Sequence, residues 1–202
     1  MGAVLNESLL PALRGLDTAL FHKINQVWTH PLLDWAMPLL TDLFHYKAVT
    51  YGALPAVLVW WVYKKRAPAV RTLIGLALAV GLADMGGHRL IKPYFKRLRP
   101  ERAGVELVLR TRSHGGYSFP SNHALNCFAG ARFLAMVHPG LSLPLYGGAA
   151  VVAYSRVYTG VHFPFDVTAG GLLGVLAGWL VGWLFIGLGF SGPGRKRSKK
   201  RA

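Results

Sequence analysis

Five long apolar runs constrain this chain more than any other feature. They fall at about 48–63, 70–91, 118–137, 142–160 and 167–189, with the charged residues gathered between them. A helix needs about 20 apolar residues to cross a bilayer, and these runs approach or reach that length. Hydrophobic residues make up 52% of the 202-residue chain and charged residues only 15%. Mean hydropathy is +0.34. A soluble domain carries nearer a quarter charged residues, so one membrane-embedded domain is expected.

Two weaker segments precede these runs. Residues 31–45 are apolar but short and contain Asp34 and Asp42, which suggests a short, tilted or re-entrant span. Residues 6–29 read as an amphipathic helix, because Leu9, Leu13, Leu16, Leu20 and Ile24 recur at helical spacing. Arg14, His22 and Gln26 point away from that stripe, with Asp17 and Lys23 at its edges. Such a helix can lie in the headgroup plane or pack as an ordinary helix. The expected organisation is an N-terminal helix over 1–30, a transmembrane domain over 31–190 with five to six spans, and a basic disordered tail over 191–202. The glycines of the last run suit close helix packing. Asp84 and Arg132 are candidate buried partners inside the bundle.

The net charge is +15. Its clustering between apolar runs favours anionic lipid headgroups and phosphorylated substrates as partners, not nucleic acid. Cys127 is the only cysteine and lies in an apolar run, so no intrachain disulfide is expected. The N-terminus lacks a basic region followed by a continuous apolar core, so an internal span is expected to direct insertion. Lys64, Lys65 and Arg66 follow the first strong span, and a tail with six basic residues follows the fifth. Parity puts both on one side, and positive residues favour the cytoplasm. The loop 92–117 carries seven Lys or Arg on the other side, which fits that orientation only if they bind substrate.

The same parity gathers three polar stretches on one membrane face. They are Lys92–Pro100 (KPYFKRLRP), Pro120–His123 (PSNH) and Ser155–Asp166 (SRVYTGVHFPFD). Ionisable residues at a membrane are costly and mark functional sites by default. Lys92, Arg99 and Arg156 can neutralise a phosphate, with arginine binding it bidentately. Ser121 can donate a hydrogen bond, and a helix starting at 121–123 would turn free N–H groups toward the anion. No GxSxG elbow, HExxH motif or convincing nucleophilic cysteine is present. Two histidines remain on the proposed face. One can attack phosphorus while the other protonates the leaving oxygen and then activates water. The attacking ring needs its second nitrogen held by an acceptor. His162 has Asp166 four residues on and His123 has no such neighbour, so His162 is preferred as nucleophile and His123 as acid and base. Two histidines and an aspartate could also bind a metal, but the arginines favour an anion. His88 and His114 lie nearby without an assigned role, and His22, His30, His45 and His138 read as structural.

These residues resemble the signature of the type 2 phosphatidic acid phosphatase superfamily, K-x6-RP, PSGH and SR-x5-H-x3-D. Lys92, Arg99 and Pro100 fit the first part, and Pro120, Ser121 and His123 the second. Ser155, Arg156, His162 and Asp166 fit the third. Asn122 stands where glycine is usual, and asparagine tolerates unusual backbone angles. The likeness covers about residues 31–189. It implies an all-helical membrane core and metal-independent, cofactor-free hydrolysis of a phosphate ester. His162 is the implied nucleophile, Asp166 its partner and His123 the acid. Lys92, Arg99, Ser121 and Arg156 are the implied phosphate ligands, with Pro100, Asn122 and Ser155 in support. The resemblance also suggests a bacterial inner-membrane enzyme, and the span parity with positive residues inside puts its site on the extracytoplasmic side. Among lipid phosphates it points first to undecaprenyl pyrophosphate, with phosphatidylglycerophosphate, phosphatidic acid and lipid A as alternatives. Phosphotransfer to a second lipid, or lipid binding without catalysis, are the rival readings.

Overall fold

The computed structural model describes residues 2–113 and 115–190. His114 and the basic tail 191–202 lie outside the described residues. Every regular element among them is helical. Helix α1 (Gly2–His22) continues into a π-helical turn, Lys23–Val27, and α2 covers Pro31–Thr41. A π-helical stretch, Ala48–Ala53, leads into α3 (Leu54–Lys65). The chain reverses at Arg66 (φ 51°) into α4 (Ala67–Met85), which a wider turn extends to Ile91. The one-turn α5 (Lys92–Phe95) opens the long connection. Helices α6 (Asn122–Val137), α7 (Ser142–Tyr158) and α8 (Pro164–Gly187) follow. All five strong apolar runs are therefore helices, shifted from the expected bounds by a few residues.

Helix α6 is the hub, packed against α4, α7 and α8. Its contact with α8 depends on glycine. Gly170, Gly174, Gly178 and Gly182 recur every fourth residue and share one face of α8. A Cβ at Gly170 would stand 2.5 Å from the Ser121 carbonyl oxygen, one at Gly174 2.3 Å from that of Leu125, and one at Gly178 2.3 Å from that of Ala129. Those atoms are backbone and cannot move aside. The other faces stay apolar and exposed: Leu172, Leu176 and Leu180 on α8, and Ile74, Leu78 and Leu82 on α4. Ala67–Arg102 and Pro164–Gly187 are long and apolar enough to cross a bilayer, with mean hydropathy of 1.5 and 1.9.

Three expectations change. Helix α2 has 11 residues, about 16 Å of length against a hydrocarbon core of roughly 30 Å, so it does not cross. Asp34 near its start accepts from the Tyr158 hydroxyl (2.7 Å), and Thr41 at its end accepts from Arg156 (2.9 Å). Both ends are tied to the last turn of α7, and α2 lies along that end of the bundle. Helix α1 docks through a face that hydropathy does not pick out. Asp17, Phe21 and Asn25 are buried, whereas Leu13 and Leu16 are 39% and 51% exposed. Phe21 packs with Val157 and Phe163, and the Asn25 amide donates to the carbonyls of Tyr158 and Val108. Asp17 is thus a buried contact, not the edge of an apolar stripe. Asp84, finally, is held by the side-chain amides of Asn122 and Asn126, both at 2.9 Å, in place of the suggested pairing with Arg132.

The glycine face yields a direct test. Gly174→Ala should cost about 1–3 kcal/mol, the usual cost of forcing extra volume into a packed contact, and Gly174→Leu should prevent folding. Gly147→Ala, with open space around the added carbon, should be silent. Thermal unfolding in detergent separates the three.

Candidate active site

The ends of four helices meet at one end of the bundle. The extension of α4 stops at Ile91, just before Lys92, α6 starts after Ser121, α7 ends after Arg156, and α8 starts two residues after His162. A cavity of about 350 Å³ lies there, lined by Lys92, Arg99, Asn122, His123, Arg156 and His162 together with His88 and Tyr117. Three segments remote in sequence therefore share one chamber.

Each cation is buried and held by neutral groups. Lys92 Nζ donates to the Tyr117 carbonyl (2.8 Å). Arg99 Nη1 donates to the Val161 carbonyl (2.9 Å). Arg156, 1% exposed, donates from Nη1 to Thr41 Oγ1, and the Ser155 hydroxyl lies 3.1 Å from the same oxygen. Pro100 follows Arg99 and turns the chain through Pro100–Arg102. Among the described residues Arg99 Nε, Arg156 Nε and Ser121 Oγ are buried without a hydrogen-bond partner. Buried polar groups are normally satisfied, and three unsatisfied donors beside three cations suit an anion with several acceptor oxygens. Ser121 is the residue before α6, but its hydroxyl does not cap the helix and stays available as a donor.

His162 lies between α7 and α8 and is 1% exposed. Its Nδ1 faces the Asp166 carboxylate (3.5 Å) and Ser118 Oγ (3.4 Å). Its Nε2 lies 3.1 Å from Arg99 Nη1. A guanidinium can only donate, so Nε2 is the acceptor and the ring proton sits on Nδ1, toward Asp166. Burial pushes the imidazole down to about 3, against the opposing pull of Asp166. The ring is neutral at physiological pH, with its lone pair on the cavity side.

Asp166 is completely buried behind this ring. One oxygen accepts from Phe163 N–H (2.9 Å) and from the Ser118 hydroxyl at very short range. The other accepts from Arg97 Nη1 (2.8 Å). Asn122, where the signature expects glycine, points its amide to Asp84 and so ties the start of α6 to α4. Neither Asp166 nor Ser121 lines the cavity; both stand immediately behind it. Hydropathy and motif spacing missed Thr41, Arg97, Ser118 and Asp17. Arg97 and Ser118 lie beside signature residues, a weak sign, whereas nothing around Thr41 or Asp17 in the sequence marks them.

A model of the PAP2 superfamily matches residues 68–190, the stretch holding all three polar segments. A lipid A 4'-phosphatase of Bacteroides thetaiotaomicron is 34% identical over 115 residues, covering 54% of this chain and 51% of that protein. The chain thus spans about half the length of that relative. An undecaprenyl-diphosphatase of Sulfolobus acidocaldarius is 32% identical over 148 residues, 72% of this chain and 68% of that protein. Among solved structures, Aquifex aeolicus LpxE is similar with a TM-score of 0.62 at 26% identity, covering 82% of this chain and 94% of that one.

Thr41→Val removes the acceptor that holds Arg156. With a hydrogen bond to a charged group contributing about 1.5–3 kcal/mol, it should weaken tungstate binding roughly tenfold or more by calorimetric titration, without altering the fold.

Proposed function

The chain belongs to the PAP2 superfamily, and from that premise we propose that it is an integral-membrane lipid phosphatase acting through a phosphohistidine, with undecaprenyl pyrophosphate as substrate. One arrangement carries the reading: a buried, neutral His162 whose Nε2 lone pair faces a cavity lined by Lys92, Arg99 and Arg156.

The terminal phosphate binds with its non-bridging oxygens on the three cations, and the unpartnered Ser121 hydroxyl immediately behind the cavity turns toward it as a further donor. These groups also stabilise the charge that spreads over the equatorial oxygens in the transition state. Nε2 of His162 attacks phosphorus, and the bond to the bridging oxygen breaks. His123, entering protonated, gives its proton to the departing oxygen. The phosphorylated ring carries positive charge, which the Asp166 carboxylate stabilises through Nδ1–H. His123, now neutral, takes a proton from water as the water oxygen attacks phosphorus. The N–P bond breaks, inorganic phosphate leaves, and both histidines return to their starting states.

A terminal diphosphate carries up to about three negative charges, which the three cations match; this favours a diphosphate over a simple ester. The relatives named for lipid A and for undecaprenyl diphosphate make those two lipids the main competitors. The cations already provide the neutralisation a divalent ion would bring, so the reaction is proposed to need no metal. For orientation, Lys64, Lys65 and Arg66 lie at the end of the bundle opposite the cavity. With basic residues inside, the site opens on the extracytoplasmic face of a bacterial inner membrane.

Phosphate release in detergent, with chelator present, tests this. His162→Ala should lose at least a thousandfold in rate, since the covalent route disappears. His123→Ala should lose about 10²–10⁴-fold on lipid substrates, the usual contribution of a general acid, and far less on an aryl phosphate whose leaving group needs no proton. In a panel of undecaprenyl pyrophosphate, lipid A, phosphatidylglycerophosphate and phosphatidic acid, the first should give the highest kcat/KM. Preference for another lipid would reassign the substrate, and a phosphorylated acceptor with little free phosphate would mean transfer instead of hydrolysis.

A further inference from the structure

We propose that Asp17 is a positioning residue for the His162–Asp166 pair and acts on it through Arg97. This rests on the reading of His162 as nucleophile. Asp17 belongs to α1, well before the family match over 68–190, and no motif marks it.

A carboxylate buried to 1% exposure on a helix whose Leu13 and Leu16 are exposed is costly unless it is fully partnered. Asp17 is partnered on both oxygens. Oδ1 accepts from Phe165 N–H (2.8 Å), one of the free N–H groups in the first turn of α8. Oδ2 accepts from Arg97 Nη2 (2.5 Å). The other terminal nitrogen of Arg97 donates to Asp166 Oδ1 (2.8 Å). A single guanidinium therefore bridges two buried carboxylates, one from α1 and one from the site. Its plane is further fixed by Phe163, whose ring centroid lies 4.2 Å from the guanidinium carbon. Phe163 in turn packs on Phe21 of α1.

The two oxygens of Asp166 divide the work. Oδ2 faces the His162 ring, and Oδ1 is held by Arg97. Turning the carboxylate about its Cβ–Cγ bond would break both relations, so the grip on Oδ1, together with the Phe163 and Ser118 bonds to Oδ2, sets the angle at which Oδ2 meets Nδ1–H. The Arg97 side chain is 27% exposed and, without Asp17, is free to turn toward water. Asp17 touches neither substrate nor imidazole. Its effect is on the orientation of the group that stabilises the phosphorylated ring, so it should appear in kcat and leave KM nearly unchanged.

A merely structural clamp would instead lower the folded fraction and leave the kcat of folded enzyme intact. Asp17→Asn separates the two roles, because the amide oxygen can still accept from Phe165 N–H while the charge opposite Arg97 is lost. Arg97→Lys keeps the charge but cannot bridge both carboxylates. In full-length protein in detergent, with folded enzyme quantified by size-exclusion chromatography and thermal unfolding, each variant should lose about 10–30-fold in kcat with KM within twofold. The double variant should be no worse than the worse single, because both break one bridge. Asp17→Glu, which keeps the charge, should recover part of the loss. Unimpaired kcat in folded Asp17→Asn, losses that multiply in the double variant, or an effect confined to KM would each overturn the proposal. His162→Ala runs alongside. Activity surviving there would sink the nucleophile assignment and this proposal with it, whereas a dead His162→Ala beside a fully active Asp17→Asn overturns this proposal alone.

Discussion

The contact between α6 and α8 holds everything else in place. Gly170, Gly174 and Gly178, at a four-residue spacing, let the α8 backbone lie directly against the carbonyl oxygens of Ser121, Leu125 and Ala129 in and just before α6. No larger residue fits at these three positions, because the opposing atoms are main chain. At the site end the contact closes with a hydrogen bond from Ser121 N–H to the Asp166 carbonyl (3.0 Å). The first turns of two helices are thereby held side by side, one carrying Ser121, Asn122 and His123 and the other Asp166. Their N-terminal dipoles add positive potential where the three cations converge.

Charge is divided across the His162 ring. On the Nδ1 side the carboxylates of Asp166 and Asp17 share the one Arg97 guanidinium, so the negative charge behind the ring exceeds the positive. On the Nε2 side Lys92, Arg99 and Arg156 are held by carbonyls and a hydroxyl, which orient them without cancelling their charge. Buried positive charge without a directly paired carboxylate is expensive, and an anion in the cavity would relieve it. The same division places the ring proton toward Asp166 and the lone pair toward the cavity.

The segments before residue 68 give the family core its local setting. Helix α2 supplies Thr41 to Arg156, α1 supplies Asp17 to Arg97, and the π-helical turn after α1 supplies Asn25 to the end of α7. Both lie across the site end of the bundle. Leu13 and Leu16 of α1 are exposed, while Asp17 and Phe21 turn to the protein.

The sequence alone determined the helices and the polar residues gathered around the cavity. Apolar runs of near-membrane length leave few alternatives to helices, since backbone polar groups in lipid must be satisfied within the segment. The spacings within Lys92–Pro100, Pro120–His123 and Ser155–Asp166 marked the groups that line or back the cavity. Tertiary structure alone decided which face of α1 is buried, that α2 stays at the rim, that Asp84 takes two asparagines, and that Thr41, Arg97, Ser118 and Asp17 complete the site. The physical reason is that periodicity reports average hydropathy along one segment. A buried Asp17 or Thr41 is instead stabilised by specific partners from segments 80 or more residues away, and those pairings exist only once the helices have packed.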